Sequence, residues 1–365
     1  MSTEYRFIEP LDVLFLRGNQ LFGDPGSYGE SLIPPWPSVA AGAIRSRMLA
    51  DKKIDLPAFA RGEVNDAELG TPAKPGAFTL AGFYLARQKN GRTDILVAPP
   101  ADLIISKNKN NQLEIRLLAP KAANTALLSS FPLSQLPVLA QSDRGKAESG
   151  YWLTQTGWQK YLNGQLPAVS DLIESKELWS FDARVGIGMN TSTRSVEEGK
   201  LFSMQAIAMK EGVGFLVAVS GAEPPKDGVL RLGGDGRAAS LSRAEMALPE
   251  PDYATITQLR KLKIVLTTPG LFAEGWRPSL PGIEATLVSA CVPRAETVSG
   301  WDLAHQKPKP AQRVAPVGSV YWFELGANTT EAQLRKLAEN GLWHEPCEDA
   351  ARKAEGFNRI TLAAW

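Results

Sequence analysis

At 365 residues the chain exceeds the usual size of one domain, so two domains are expected. Hydrophobic residues make up 44% and charged residues 22%, as in ordinary globular proteins, and no apolar run nears the ~18 residues of a membrane span. The formal net charge of +1 excludes a globally basic polymer binder, so any nucleic-acid affinity must come from a local patch.

Met1-Ser2-Thr3-Glu4-Tyr5-Arg6 lacks the basic start and apolar core of a signal peptide, which points to a cytoplasmic protein. Tyr5 to Glu9 alternates apolar and polar residues, as a first strand does. A turn-rich passage from Gly18 to Pro37 follows, containing Gly23-Asp24-Pro25-Gly26 and Pro34-Pro35-Trp36-Pro37. Ser38 reads as an N-cap, with Val39, Ala43, Ile44 and Met48 at helical spacing behind it. Arg45 and Arg47 fall off that stripe, toward solvent or a partner. Strands are expected over Phe78 to Ala86 and Thr93 to Val97, joined by Asn90-Gly91, which tolerates a type I′ turn. A second hairpin spans Leu103 to Leu118 around Lys107-Asn108-Lys109-Asn110-Asn111. From Ala119 to Pro167 one short helix is expected, capped by Thr154 and ended by Asn163-Gly164.

Strand character returns at Leu201 to Ala208, Phe215 to Ser220 and Val229 to Leu232. Leu248-Pro249-Glu250-Pro251 reads as a linker. Beyond it come strands at Leu262 to Thr267, Thr286 to Cys291 and Ser319 to Phe323, a helix capped near Thr330 and ended by Gly341, and a last strand from Arg359 to Ala363. Strand, helix, strand pair, helix, strand is the ferredoxin-like order. The expected fold class is therefore α+β, with tandem ferredoxin-like, RRM-like domains at 1–248 and 256–365 and an insertion at about 99–180 in the first. Between Ile256 and Phe323 eight Lys and Arg face four Asp and Glu, so this stretch carries +4 and the rest −3.

Three segments stand out. In Arg184-Val185-Gly186-Ile187-Gly188-Met189-Asn190, glycines at alternate strand positions admit another backbone or a phosphate; the plainer reading is a hairpin whose glycines relieve crowding. Arg184 and Arg194 flank it, and Thr191, Ser192 and Thr193 add hydroxyl donors. The dinucleotide pattern G-x-G-x-x-G fails at Thr191. Arg231-Leu232-Gly233-Gly234-Asp235-Gly236-Arg237 has the GGD core of cyclase and polymerase turns, yet no second acid follows Asp235, as a two-metal site requires. A tight inter-strand turn presenting Arg231 and Arg237 fits better. The third runs from Trp301-Asp302 through His305 and Lys307-Pro308-Lys309-Pro310 to Arg313. Its prolines present Lys307, Lys309 and Arg313 at low ordering cost, and Trp301 either stacks on a base or tucks into the core.

His305 suits general acid or base work, but the sequence shows it no partner. Two cysteines cannot frame a chain of this length with disulfides, so Cys291 and Cys347 read as reduced. With His305 and His344 they supply four zinc-type ligands, of which only His344 and Cys347 are closely spaced. No metal, cofactor or catalytic residue is assigned.

Together these stretches resemble one family, the RAMP proteins of CRISPR systems that form the third subunit of the type III-B Cmr effector complex. Arg17 to Phe22 with Pro34 to Arg45 is similar to that family's N-terminal signature, and Arg184 to Gly188 with Thr193-Arg194 to its central segment. Arg231 to Arg237 resembles its R-x-G-G-[ED]-G-R turn, and Gly300 to Pro310 with Val317 to Tyr321 its C-terminal loop and strand. The chain departs at Gly18, where an acid is frequent, and at Gly356-Phe357-Asn358, where Gly-Phe-Gly is frequent. The resemblance implies a non-catalytic subunit that holds the 5′ handle of the CRISPR RNA. It also implies docking to a large polymerase/cyclase-like subunit and an adjacent backbone RAMP subunit. Arg45, Arg184, Gly186, Gly188, Arg194, Gly233, Gly234, Arg237, Trp301, His305, Lys307, Lys309 and Arg313 are the expected RNA contacts. The alternative is a metal-independent CRISPR RNA-processing endoribonuclease that uses His305.

Overall fold

Val213-Gly214-Phe215-Leu216-Val217-Ala218-Val219 is almost wholly apolar, the mark of a strand covered on both faces, and it lies inside an eight-stranded antiparallel sheet, the larger of the two main sheets. The computed structural model describes residues 3–16, 18, 28–29, 31–122, 130–141 and 145–365. The first half contributes β1 (Glu4–Pro10), α1 (Pro37–Asp51), β2 (Thr79–Lys89), β3 (Arg92–Val97), β4 (Tyr151–Thr154) and α2 (Gln155–Leu162). It continues with β5 (Leu172–Glu174), β6 (Trp179–Met189), β7 (Val196–Met209), β8 (Val213–Ser220), β9 (Gly228–Arg231) and β10 (Ala238–Arg243). The second half contributes α3 (Tyr253–Leu259), β11 (Lys261–Leu266), β12 (Ala285–Cys291) and β13 (Val320–Leu325). Helices α4 (Glu331–Asn340) and α5 (Ala350–Ala354) then lead to β14 (Ile360–Ala363).

The larger sheet has the order β5-β4-β3-β2-β8-β1-β10-β9, and the smaller β12-β13-β11-β14. Strands β6 and β7 stand apart as a long hairpin, joined in parallel by Tyr28–Gly29. Within the larger sheet, β2-β8-β1-β10 repeats the arrangement of the smaller one: second, third, first and fourth strand. The helices do not repeat with it. Helix α1 links the first two strands of the first half, but among the described residues no α-helix joins β8 to β10. In the second half α4 and α5 precede the last strand, and none joins β11 to β12. Pro224-Pro225 in one gap, and Pro269, Pro278 and Pro281 in the other, oppose helix there.

Alternation sorts the side chains into layers. Phe215, Val217 and Val219 face α1, whose Ala40, Ala41, Ile44 and Met48 lie in the same core. Leu216 and Phe7 face the other way and meet Trp158 and Tyr161 of α2, and Val265, Trp322 and Ala363 of the smaller sheet. The far side of the smaller sheet packs Ile264, Tyr321 and Phe323 against α3 and α4 through Ile256, Leu334 and Leu337. The two halves thus share one apolar seam.

Several local readings differ from expectation. Helix α1 begins at Pro37 with Trp36 in the cap position, because proline has no N–H to satisfy and a preset φ, so Ser38 is not the cap. Thr154 does cap α2 by accepting from the Gly157 N–H, and Thr330 and Gln333 form a capping box on α4. Asn90 and Gly91 both have positive φ, at 52° and 75°, as the β2–β3 turn needs. Strands β4 and β5, expected within an insertion, pair instead onto the edge of the larger sheet. Helices α3 and α5 are too short, at seven and five residues, to show a sequence period. No helix among the described residues is long and apolar enough to cross a membrane.

The seam holds one charged pair. Lys263 shares its strand face with Val265, so its ammonium points inward, 3.1 Å from the Asp102 carboxylate and 3.9 Å above the Tyr161 ring. Tyr161 donates to the other Asp102 oxygen at 2.6 Å. Burial pulls the Lys263 ammonium below its usual range, and the carboxylate opposes that shift. Lys263 therefore does not belong to a solvent-facing basic patch. Replacing it, Lys263→Met, strands a buried carboxylate and is expected to cost about 3–5 kcal/mol in urea unfolding. Lys263→Met/Asp102→Leu is expected to recover most of that loss.

Candidate nucleic-acid interface

Phe181-Asp182-Ala183-Arg184-Val185-Gly186-Ile187-Gly188-Met189 alternates with period two, and the structure makes it strand β6, in keeping with the hairpin reading of its glycines. It pairs with β7 from Trp179↔Met209 to Met189↔Val196, with a bulge between Ile187 and Met189. A Cβ on Gly188 would lie 2.7 Å from that of Lys200, so glycine admits the crossing lysine. Asn190 closes the tip by accepting from the Ser192 and Thr193 amides and the Ser192 hydroxyl. Arg194 sits exposed in that tip with φ of 52°. Arg184 lies six residues before Asn190 along the strand, about 20 Å at ~3.3 Å per residue, so the two flanking arginines are far apart. Phe181, Val185, Ile187 and Met189, with Val196 and Leu201 opposite, leave an exposed apolar face on the hairpin.

The inner face brings two of the three segments together. Phe15 is buried, and the Arg184 and Arg237 guanidinium groups lie 5.8 and 5.0 Å from its ring centre. The turn after β9 is held there because the Gly234 N–H donates to the Phe15 carbonyl at 2.8 Å. Gly233 has φ of 75°, and a Cβ on it would sit 2.8 Å from that same oxygen, so glycine is required. Asp235 follows with φ of 58°. Each arginine also meets a carboxylate: Arg184 Nε donates to Asp182 at 2.9 Å and Arg237 Nη1 to Asp12 at 2.5 Å. The Val13 amide, helped by Arg237 and Arg184, holds the Asp12 carboxyl below its usual range.

The third segment is a small hairpin, Trp301–Asp302 against Lys307–Pro308. Trp301 is 54% exposed and Leu303 67%, so the tryptophan is not tucked into the core. Lys307 and Arg313 are exposed, whereas Lys309 turns inward onto Glu355. His305 has the partner its sequence context did not declare: its Nδ1 lies 2.9 Å from Asp302 Oδ2, and its amide donates to Oδ1. Burial pushes the Asp302 carboxyl up, but the bonds from His305 outweigh it and hold it below the carboxylate range.

Arg45 does not point away from the protein. It is half-buried and donates to the Leu69 carbonyl at 3.2 Å, because α1 packs against the 66–70 turn; burial lowers its pKa and Glu355 opposes this. Arg47 likewise bonds Asp51 and the Val229 carbonyl of β9. Arg17 and Gly23 to Gly26 lie outside the described residues. Among the described residues no group of three or more His, Cys, Asp or Glu could hold a metal ion. The zinc-type side chains are engaged separately: Cys291 donates to the Ala101 carbonyl and His344 meets Ser279. Phe15 and Asp12 were not legible as site residues, since their partners lie more than 160 residues away. Asp302 and Asp182 are two or three residues from theirs and carry the only local signal.

No curated protein matches the chain. Among solved structures, a chain of the type III-B Cmr-beta bound to cognate target RNA and AMPPnP is 15% identical with TM-score 0.48, covering 87% of this chain and 86% of that one. A chain of the type III-B Cmr-beta bound to cognate target RNA is 16% identical with TM-score 0.46 and the same coverages, 87% and 86%. One from the apo state is 14% identical with TM-score 0.30, covering 67% of this chain and 97% of that one. The family model described as CRISPR-associated protein (Cas_Cmr3) matches residues 6–365, a span that takes in both sheets, the Phe15 cluster and the Trp301 hairpin. The chain belongs to the Cas_Cmr3 family of CRISPR-associated proteins.

Proposed function

We propose that the chain is a non-catalytic RNA-binding subunit of a cytoplasmic type III-B CRISPR (Cmr) ribonucleoprotein, holding the 5′ handle of the CRISPR RNA in antiviral defence. The observation that carries the reading is the convergence of Arg184 and Arg237 on Phe15, two segments 53 residues apart brought to one place in a member of this family. The shared strand order of the two sheets supports a tandem ferredoxin-like architecture, each half lacking one helix. The exposed Trp301, Lys307 and Arg313 supply a stacking surface and two cations. The apolar hairpin face supports docking to protein, assigned here to the large polymerase/cyclase-like subunit and an adjacent backbone RAMP subunit. Target cleavage and signalling chemistry then belong to those partners.

Phosphate binding at the Phe15 cluster must draw each arginine from its carboxylate. Arg184→Ala/Arg237→Ala/Lys307→Ala is expected to weaken handle RNA binding and to flatten log Kd against log salt by about 2, at ~0.7 per phosphate contact. An unchanged affinity and slope in anisotropy titrations refutes the site. Asp12→Asn frees Arg237 and is expected to tighten RNA binding at low salt and steepen the slope; weaker binding in the folded variant argues against an Arg237 contact.

The Asp302 contact to His305 Nδ1 favours a second reading, an endoribonuclease in which the oriented imidazole moves a proton. Incubation of the pure chain with repeat RNA and chelator separates the two. The leading reading expects intact RNA; cleavage lost in His305→Ala overturns it.

A further inference from the structure

The Trp301 hairpin is tied down from beneath by a buried ionic cluster. Arg352, on α5, is 4% exposed and uses its whole guanidinium. Its Nε donates to Gln312 Oε1 at 2.7 Å, Nη2 to the Ser299 carbonyl at 3.1 Å and Nη1 to Glu355 at 2.9 Å. The group also lies 4.9 Å from the Phe357 ring centre. Glu355, 6% exposed, uses its second oxygen to bind Lys309 Nζ. Ser299 Oγ donates to the Lys309 carbonyl at 2.7 Å, and Gln312 donates to Asp349 at 3.3 Å. One fork thus grips both ends of the segment, at Ser299 and Gln312, and a carboxylate passes the grip to Lys309.

We propose that Arg352 and Glu355 are positioning residues that clamp the 299–313 segment for RNA, and that Lys309 is a strut of this clamp rather than an RNA contact. This rests on the reading that Trp301 and Lys307 meet RNA. A phosphate can recruit Lys309 only by taking from a nearly buried carboxylate one of its two cationic partners, whereas Lys307 and Arg313 are exposed. Two prolines, Pro308 and Pro310, already limit the segment, so fixing its two ends defines where Trp301 and Lys307 stand.

Glu355→Gln gives a sign test. Removing a carboxylate makes the protein more positive, so electrostatics alone predicts tighter RNA binding. The clamp predicts weaker binding. In the full chain, Glu355→Gln, Arg352→Lys and Lys309→Met are each expected to speed amide exchange over 299–313 by about tenfold without RNA. Each is also expected to weaken CRISPR RNA binding severalfold, and Lys309→Met/Glu355→Gln to be no worse than either alone. Circular dichroism confirms folding, and Lys309→Gln replaces any variant that fails it. Unchanged exchange in folded variants, or tighter RNA binding by Glu355→Gln, overturns the clamp. Faster exchange with RNA affinity unaltered in both these variants and Lys307→Ala upholds the clamp as a loop brace and refutes the RNA reading.

Discussion

The charged pair Lys263–Asp102 sits where the two sheets and α2 meet, and the architecture is arranged around that seam. Phe7, Leu216, Trp158, Val265 and Trp322 line the seam there, and among the described residues the pair is satisfied by its own contact and by Tyr161. Such a pair adds little net stability compared with an apolar substitute. It does penalise any other register, because sliding β11 by one residue would carry Lys263 to the opposite face and leave the buried Asp102 carboxylate without its cation. A seam of apolar side chains and this buried pair joins the two sheets.

That arrangement places the outward features. With one face of the larger sheet covered by α1 and the other by the smaller sheet, the cationic segments gather at turns and on the separate β6–β7 hairpin. Around Phe15, two arginines and two carboxylates nearly cancel. Charge balance of this sort fits a chain of net charge +1, whose long-range field is weak. At the Trp301 hairpin, by contrast, the carboxylate Glu355 is buried beneath the segment and Lys307 is left facing out.

Much of the secondary structure was legible because its causes are local. Asn90-Gly91 permits positive φ at two successive residues, Thr154 and Thr330 can reach the first amides of their helices, and apolar runs name the inner strands. The tight turn at Gly233-Gly234 was also readable, from glycine alone. For β6, glycines at alternate positions leave a crowded hairpin and a phosphate-admitting segment both open in the sequence, and strand pairing with β7 decides for the hairpin. Arg45 differs from its sequence reading because charge implies solvent only until a distant acceptor, here the Leu69 carbonyl, is brought near, and Lys263 meets Asp102 in the same way.

The sequence by itself determined the α+β class, most strand and turn positions, and through the ordered motifs the family to which the chain belongs. Hydrogen-bonding reach and side-chain periodicity act over a few residues, and a linear chain displays them directly. Only the tertiary structure decided which of these cations face outward, which turn onto a carboxylate, and that Arg184 and Arg237 share Phe15 while Arg194 stands apart. The pairings that settle this, Asp12 with Arg237 and Lys309 with Glu355, join residues 225 and 46 positions apart. Their proximity is a product of sheet packing, and no local propensity encodes it.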